Sequence, residues 1–533
     1  LPGTDGIPRR NVLVGEAIRT AEAQSGTSPA AARGLPIEER ALLPFLITAR
    51  VQGQLAHWPG TRAYFAEGLA SSYEAFHHTR EDRGEAKDSR GKAKDSDDGL
   101  EVDPGEKSWA VPMRWYEDQI ARLIPSNVAS RSERLAHPKV SATVQRTVDL
   151  WRKGEKVLVF CFYVQTARAL REHLRQEIDH QIIRMAGEKL GLDPQRDGET
   201  IEAWLKRIAR RLTDAESPFY REMRSLLTRE LDRPQYEVLR PYRGRLGKVL
   251  MAYFRSPSFI ARYLPLEDRL VREALGLPRP RREVIERGME ALRRAVLEAE
   301  DASGQTYLDR VAQFLDFAVE LAERAARRLA LRVDETSDEA EDPLLEYLDA
   351  VSIYCRPRRP EQEDEDEVEE ARGEGSYRVM ALVRMVHGGT RPEVRDRLMH
   401  AFNSPLFPEI LVTSSVMGEG VDLHRFCRHV IHHDLSWNPS TLEQRTGRLD
   451  RIRCKAEVCR RPIQVYQPFL AGGADEKMFR VVRDRERWFQ VVMGQKFELD
   501  EATSEDLASR VPLPEELAAR LSFNLARWSP EAS

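Results

Sequence analysis

Two periods divide this chain. Short runs of consecutive apolar, β-branched-rich residues read as buried strands: Val157 to Phe162 (VLVFCF), Ile410 to Val412, Val430 to Leu435 (VIHHDL) and Ile463 to Leu470 (IQVYQPFL), with a further strand beginning near Tyr377. Around them apolar positions recur every three to four residues, the spacing of amphipathic helices. Helices are expected over Glu39–Gln52, from His137 through Leu150, after Phe162 to Leu174, over Val394, Leu398 and Phe402, and from Asp475 to Val492. Leu308, Val311, Leu315, Ala318 and Ala322 form one stripe in a mostly helical stretch, and Pro514 to Trp528 reads as a short helical tail. Gly244 to Val249 (GRLGKV) reads as a loop.

Composition interrupts this pattern twice. Residues 79–107 are poor in apolar side chains and dense in Lys, Asp, Glu, Arg, Ser and Gly, the composition of a disordered linker. Glu361 to Glu370 (EQEDEDEVEE) reads as a solvated acidic linker for the same reason.

Candidate chemistry gathers in Glu443 to Ile452 (EQRTGRLDRI), which follows the VIHHDL strand and a helix start at Trp437-Asn438-Pro439-Ser440. On a helix, Gln444, Gly447, Arg448 and Arg451 share one face. Two guanidiniums converging on a strand end suit a phosphate chain, because arginine is permanently charged and offers forked donors. Alone, such a stretch is more often a solvated helix face. Two other strand ends change that reading. The stretch ILVTSSVMGEGVDL runs into a small-residue loop with Gly418, Gly420 and Asp422, and Gly388-Gly389-Thr390 opens a helix whose start is a ready anion site.

In order, VLVFCF at 157–162, HGGT at 387–390 with its helix ending in Phe402-Asn403, LVTSSVMGEGVDL, and DLSWNPSTLEQRTGRLDR at 434–451 resemble the motifs of the second RecA-like lobe of superfamily-two helicases and translocases. The likeness is to the Swi/Snf-type ATPases and their bacterial relatives, including helicases of phage-defence systems such as DISARM. It covers about a third of the chain and departs from the Swi/Snf pattern after Arg451, where Ile452-Arg453-Cys454 replaces the usual Gly-Gln.

The resemblance implies an α/β fold, a RecA-like parallel sheet with a large helical insertion and flanking helices. Its expected layout is 1–78 as a helical end of a first lobe, 79–107 as linker, 108–175 as the start of the second lobe and 176–357 as insertion. An acidic linker over 358–375, the rest of the lobe over 376–470 and terminal helices over 471–533 complete it. It further implies that Arg448 and Arg451 are catalytic and reach the γ-phosphate of ATP, with Arg451 the arginine finger. Gln444, Gly447, Gly420 and Asp422 would serve the nucleotide, and Gly388, Gly389, Thr390 and Thr413 would hold a phosphodiester backbone. The cofactors are ATP and Mg, bound mainly by a first RecA-like lobe supplied in cis upstream or in trans. The partner is nucleic acid, with double-stranded DNA expected.

The phosphate-cradling Gly-Lys-Ser or Gly-Lys-Thr loop is not in the sequence, and Asp338-Glu339-Ala340-Glu341 imitates the magnesium carboxylate motif only by coincidence. Two functions therefore stay open: the C-terminal part of an ATP-driven helicase or translocase, or a non-catalytic nucleic-acid-binding scaffold that keeps the lobe.

Charge and cysteine usage narrow the setting. A net charge of −4 and a pI near 6.4 give no overall nucleic-acid signature, so any such surface is a local patch. One candidate patch interleaves Arg240, Arg243 and Arg245 with Phe219, Tyr220, Tyr236, Tyr242 and Tyr253. The alternative there is a solvated helix face with core aromatics. Five scattered cysteines indicate reduced thiols in a cytoplasmic protein. Cys454 and Cys459 near His432 and His433 fit no zinc spacing. No apolar run is long enough for a membrane span.

Overall fold

The computed structural model describes residues 9–20, 32–55, 64–85, 110–277, 280–331, 342–355, 382–414 and 422–492. Among these, six strands form one sheet: β1 (Arg10–Val14), β2 (Lys156–Phe160), β3 (Val383–Val386), β4 (Ile410–Thr413), β5 (Cys427–His432) and β6 (Ile463–Gln467). Their order across the sheet is β1-β6-β5-β2-β4-β3, and every neighbouring pair is parallel. Strands β2, β3, β4 and β5 are buried along their whole length. Helices cover both faces of such a sheet, which is why its strands read as unbroken apolar runs. The fold is the α/β, RecA-like arrangement that the sequence implies.

Parallel strands bring their carboxyl ends to one edge. The chain leaves the central β2 for β3 and β4 on one side, then crosses to β5 and β6 on the other. In open α/β sheets the crevice at such a reversal, outside the carboxyl ends, is where ligands bind.

Between β2 and β3 the chain is helical. The first helix runs unbroken from Val164 to Leu190 and stops where Gly191 takes a left-handed conformation (φ 70°). The expected boundary at 175/176 thus falls inside a helix, because Ile178, Ile182 and Ala186 prolong its buried stripe. The GRLGKV stretch is not a loop: it opens the helix Arg243–Phe254, whose Leu246 and Val249 are buried. The insertion shares one hydrophobic core with the sheet, including Val159 and Val412 of β2 and β4 and Phe259, Tyr307 and Phe314 of the insertion.

Buried charges join the two as well. Arg262 of the insertion pairs with Glu409 just before β4 at 2.6 Å, the Trp151 indole donates to the same carboxylate at 2.6 Å, and the guanidinium lies over the Trp151 ring. At the amino end of β2, Glu155 accepts from Arg428 and from Lys455, at 2.6 and 2.8 Å, while Lys455 also approaches Asp301 of the insertion at 3.6 Å.

The amino-terminal part departs from the purely helical reading of 1–78. Arg10–Val14 is a strand that pairs in register with β6, from Arg10 opposite Ile463 to Val14 opposite Gln467. Helices Glu39–Leu55, Tyr64–Ser71, Tyr73–Glu85 and Ala110–Leu123 follow, with a small core of Val51, Leu69, Phe76 and Ile120. Ser71 and Ser72 lie at a helix junction, and both hydroxyls bond the Thr166 hydroxyl, at 2.7 and 3.0 Å. The His433 ring reaches the Ser71 carbonyl at 3.0 Å. These helices are therefore packed on the lobe.

The 79–107 linker lies mostly outside the described residues; Asp338–Glu341, Glu361–Glu370, Tyr377, Gly418, Gly420 and Pro514–Trp528 lie wholly outside them. Among the described residues no helix is long and apolar enough to cross a membrane.

Candidate active site

Asn438 begins the helix that follows β5, its side chain accepting from Ser440 N–H at 3.0 Å with Pro439 in the first turn. The helix Pro439–Thr446 is short. It ends at Gly447, whose N–H donates to the Glu443 carbonyl at 2.7 Å, so Arg448 and Arg451 stand beyond it rather than on its opening turns. A Cβ at Gly447 would come within 3.1 Å of that same carbonyl, which fixes the tight exit.

This exit separates the three arginines of the stretch. Arg445 is buried in the fold, donating to the Asp434 carbonyl at 3.4 Å with its guanidinium 5.3 Å from the centre of the Phe160 ring. Arg448 is buried too, and its carbonyl accepts from Leu423 N–H at 3.1 Å, joining the segment after β4 to the segment after β5. Arg451 is the accessible one: its side chain is 39% exposed and forms an ion pair with Asp422. Gln444 is exposed on the helix.

The structure thus brings Asp422 and Arg451 into contact, although the sequence motifs that carry them are separate. It leaves Gly388, Gly389 and Thr390 on a different loop, at the end of β3. There the His387 N–H donates to the Thr390 hydroxyl at 3.0 Å, the Gly389 N–H to His387 Nδ1 at 3.1 Å and the Thr390 N–H to the His387 carbonyl at 2.9 Å. Gly388 and Gly389 are exposed, and a Cβ at Gly389 would crowd the His387 ring at 3.0 Å. Thr413 closes β4 fully buried, its hydroxyl donating to the Ser414 carbonyl at 3.0 Å, so in this arrangement it presents no group to a ligand.

The basic residues of the insertion pair with acidic neighbours, and most of its rings are buried. Arg240 pairs with Glu237 at 3.1 Å, Arg243 with Asp232 at 3.0 Å and Arg245 with Asp349 at 3.1 Å. Phe219, Tyr236 and Tyr253 are in the core, and the Tyr242 hydroxyl donates to Asp342 at 2.6 Å. Rings buried in a core cannot stack on bases. The arrangement is the solvated face with core aromatics.

Burial sets the titration of the histidines beside the site. It pushes His432 down to about 3 and His433 down to about 4. Each is placed by hydrogen bonds, His432 with the Thr446 hydroxyl at 3.0 Å and His433 with the Thr143 hydroxyl at 2.9 Å, while Cys454 lies beside Arg9 at 3.7 Å. No cluster of three or more His, Cys, Asp or Glu that could hold a metal ion occurs among the described residues.

Sequence reading missed the residues that hold the Arg451 loop. Arg9 and Arg10, at the start of β1, both donate to Asp450; Arg9 reaches it at 2.7 Å, and its other nitrogens reach Glu457 and the Arg451 carbonyl. Arg10 also pairs with Glu443 at 2.7 Å. Asp450 is partly buried, which opposes its ionisation, yet Arg9 and Arg10 hold its carboxyl below the usual range. The adjacent arginines at the head of a β-rich run were the visible signal. Their partners, far away in sequence, were not.

Residues 349–453 match the family described as the helicase conserved C-terminal domain, a span that runs from the last insertion helix to just past Arg451. One stretch is similar to the protein named uncharacterized ATP-dependent helicase YqhH of Bacillus subtilis (strain 168), 30% identical over 108 residues, which is 20% of this chain and 18% of that protein. Another is similar to the RNA polymerase-associated protein RapA of Pseudomonas putida (strain W619), 36% identical over 95 residues, 18% of this chain and 9% of that one. RapA of Vibrio vulnificus (strain YJ016) is 39% identical over 72 residues, 14% of this chain and 7% of its own length. The matches thus span less than a fifth of these relatives. The solved C-terminal part of the Fun30 ATPase domain covers 69% of this chain and 95% of its own at 13% identity, with a TM-score of 0.17, a level from which no structural conclusion follows. Residues 349–453 of this chain thus match the helicase conserved C-terminal domain.

Proposed function

We propose that the chain is the C-terminal part of an ATP-dependent helicase or translocase of the Swi/Snf-like type, acting on nucleic acid and on double-stranded DNA by preference. The observation that supports this reading best is the Asp422–Arg451 pair: a half-exposed guanidinium beyond the helix that follows β5, held by one half-exposed carboxylate. Pairs in that setting are worth at most about 1 kcal/mol, so a triphosphate can displace the carboxylate at little cost.

In this reading Arg451 faces the terminal phosphate of ATP held on a first RecA-like lobe. Once it has exchanged Asp422 for phosphate, its planar, permanently charged fork stabilises the charge that develops there. ATP supplies the driving free energy. Mg belongs to the first lobe. Arg448, the second arginine expected at the γ-phosphate, is mostly buried. Exposed Gln444 lies on the helix ahead of Arg451 and senses the nucleotide. The exposed Gly388-Gly389 turn, which lacks side chains and leads into the helix Pro392–Phe402, lets a phosphodiester chain approach closely without its sequence being read.

The test is nucleic-acid-stimulated ATP hydrolysis. The 533-residue chain alone should hydrolyse ATP negligibly, and addition of a first lobe carrying the phosphate loop, fused or in trans, should bring stimulated turnover. Nucleic-acid binding by the pair of lobes without any turnover would instead establish the scaffold reading.

A further inference from the structure

We propose that Glu320, on the insertion helix Tyr307–Leu331, is a positioning residue for Arg451, so that the insertion helps to set where the finger sits. This rests on the reading of Arg451 given above.

Asp422 and Arg451 both lie in segments without regular structure, and a guanidinium on such a segment needs an anchor to hold one position. Glu320 supplies it. Its two carboxylate oxygens divide between two arginines: one accepts from Arg425, just after Asp422, at 2.8 Å, and the other from Arg453, just after Arg451. One carboxylate from the insertion thereby ties together the two segments whose neighbouring residues form the Asp422–Arg451 pair.

The same helix face adds further contacts. Gln313 donates to the Arg425 carbonyl at 2.7 Å, and the Arg425 guanidinium lies 4.6 Å from the centre of the Phe317 ring. Gln313, Phe317 and Glu320 fall three or four residues apart, so they share one side of the helix. A second insertion helix, Pro343–Tyr354, reaches the same place: the Tyr347 hydroxyl donates to the Asn403 carbonyl at 2.6 Å, and the Asn403 side chain in turn donates to the Asp422 carbonyl and accepts from Arg425 N–H at 3.3 Å.

The loop itself is under constraint. Arg453 has φ 59°, a left-handed conformation that a non-glycine residue keeps only where its surroundings hold it. Its N–H donates to Glu457 at 2.6 Å and its guanidinium is held by Glu320. The side chains of Arg425 and Glu320 are 14% and 23% exposed, so water screens their pair only in part.

The experiment uses the 533-residue chain and site-resolved modification by phenylglyoxal, read by peptide mass spectrometry. Glu320→Ala and Glu320→Gln should speed modification of Arg451 by about threefold or more, the scale of a coupling worth several tenths of a kcal/mol, with Arg240 as an unchanged control. Glu320→Asp should restore part of the protection. An unchanged Arg451 rate in chains that melt like the parent overturns the proposal. Should the Glu320 variants fail to fold, Arg453→Ala removes half of the bridge at a side chain that is 65% exposed, with the same two outcomes.

With a first lobe supplied, Glu320→Ala should lower kcat about tenfold with KM for ATP unchanged, and should cost nothing further in an Arg451→Ala background. Independent, additive losses overturn positioning. If Arg451→Ala itself leaves turnover intact, the finger reading fails, and the modification rates still decide whether Glu320 places Arg451.

Discussion

Asp422 and Arg451 are paired across two segments that follow different strands, β4 and β5, and both side chains remain substantially exposed, 51% and 39%. A pair in that setting stabilises a fold weakly and is easily exchanged for another anion. Asp422→Asn should therefore shift thermal stability by less than about 1 kcal/mol, as read by denaturant titration. A larger loss would make the pair a structural bond and count against its role in holding an exchangeable arginine.

The insertion is held to the sheet by charges out of water. Arg262 and Glu409 have side chains only 3% and 7% exposed. Removing one partner leaves the other buried and uncompensated, so Glu409→Ala or Arg262→Ala should each cost about 3 to 5 kcal/mol. The double replacement by apolar residues of similar volume should cost much less. Equal losses for single and double variants would contradict this account of the joint.

How much of this was legible in the sequence depended on what hides each residue from water. Strands β2, β4 and β5 could be read because both faces are covered, which leaves a continuous apolar run in the sequence. β1 could not: it is an edge strand that starts with Arg10-Asn11 and carries Val12 42% exposed, so its pattern resembles a loop. At the site, the motif order pointed to Asp422 and Arg451, and the helical reading of Gln444 to Arg451 overran a helix that ends at Thr446. Glu320, Arg9 and Arg10 were invisible, because an ion pair between residues far apart in sequence leaves no local pattern. The interleaved cations and rings of the insertion were legible but ambiguous. Rings recurring at helical spacing also describe a core face, and each nearby Asp or Glu could have been a partner, as Glu237, Asp232 and Asp349 are.

That outcome carries its own test. Replacing Arg240, Arg243 and Arg245 together by Ala should leave nucleic-acid affinity within about twofold and the salt dependence of binding unchanged, because most of the rings between them are buried and offer bases no stacking surface. A marked fall in affinity with a shallower salt slope would restore the track.

Stability should fall on mild acidification. Burial holds His432 and His137 at about 3, and His433 and His429 at about 4, below the ordinary value of about 6.5. A folded value below the unfolded one means that the unfolded chain takes up protons first as pH falls, so stability drops through and below about pH 6.5. Burial opposes ionisation of Glu155 too, but Lys455, His429 and Arg428 hold its carboxyl well below the usual range, and this adds a loss at lower pH. Asp475, raised by burial, acts in the opposite sense. Melting temperature should decline steadily between about pH 6.5 and about pH 5, and His432→Gln should flatten the decline. A flat profile in the parent would contradict the burial of these rings.

The central claim is that Arg451 serves the hydrolysis of ATP bound across two lobes. The decisive measurement is nucleic-acid-stimulated turnover of the chain joined to a first lobe, parent against Arg451→Ala and Arg451→Lys, with thermal melting and nucleic-acid binding followed on the same samples. The account predicts a loss of about 10³-fold or more for Ala and nearly as much for Lys, since a point charge on a flexible stem does not reproduce the planar fork. Melting and binding should stay close to the parent. Turnover at the parent rate in both variants would make Arg451 a surface ion-pair residue and contradict the account.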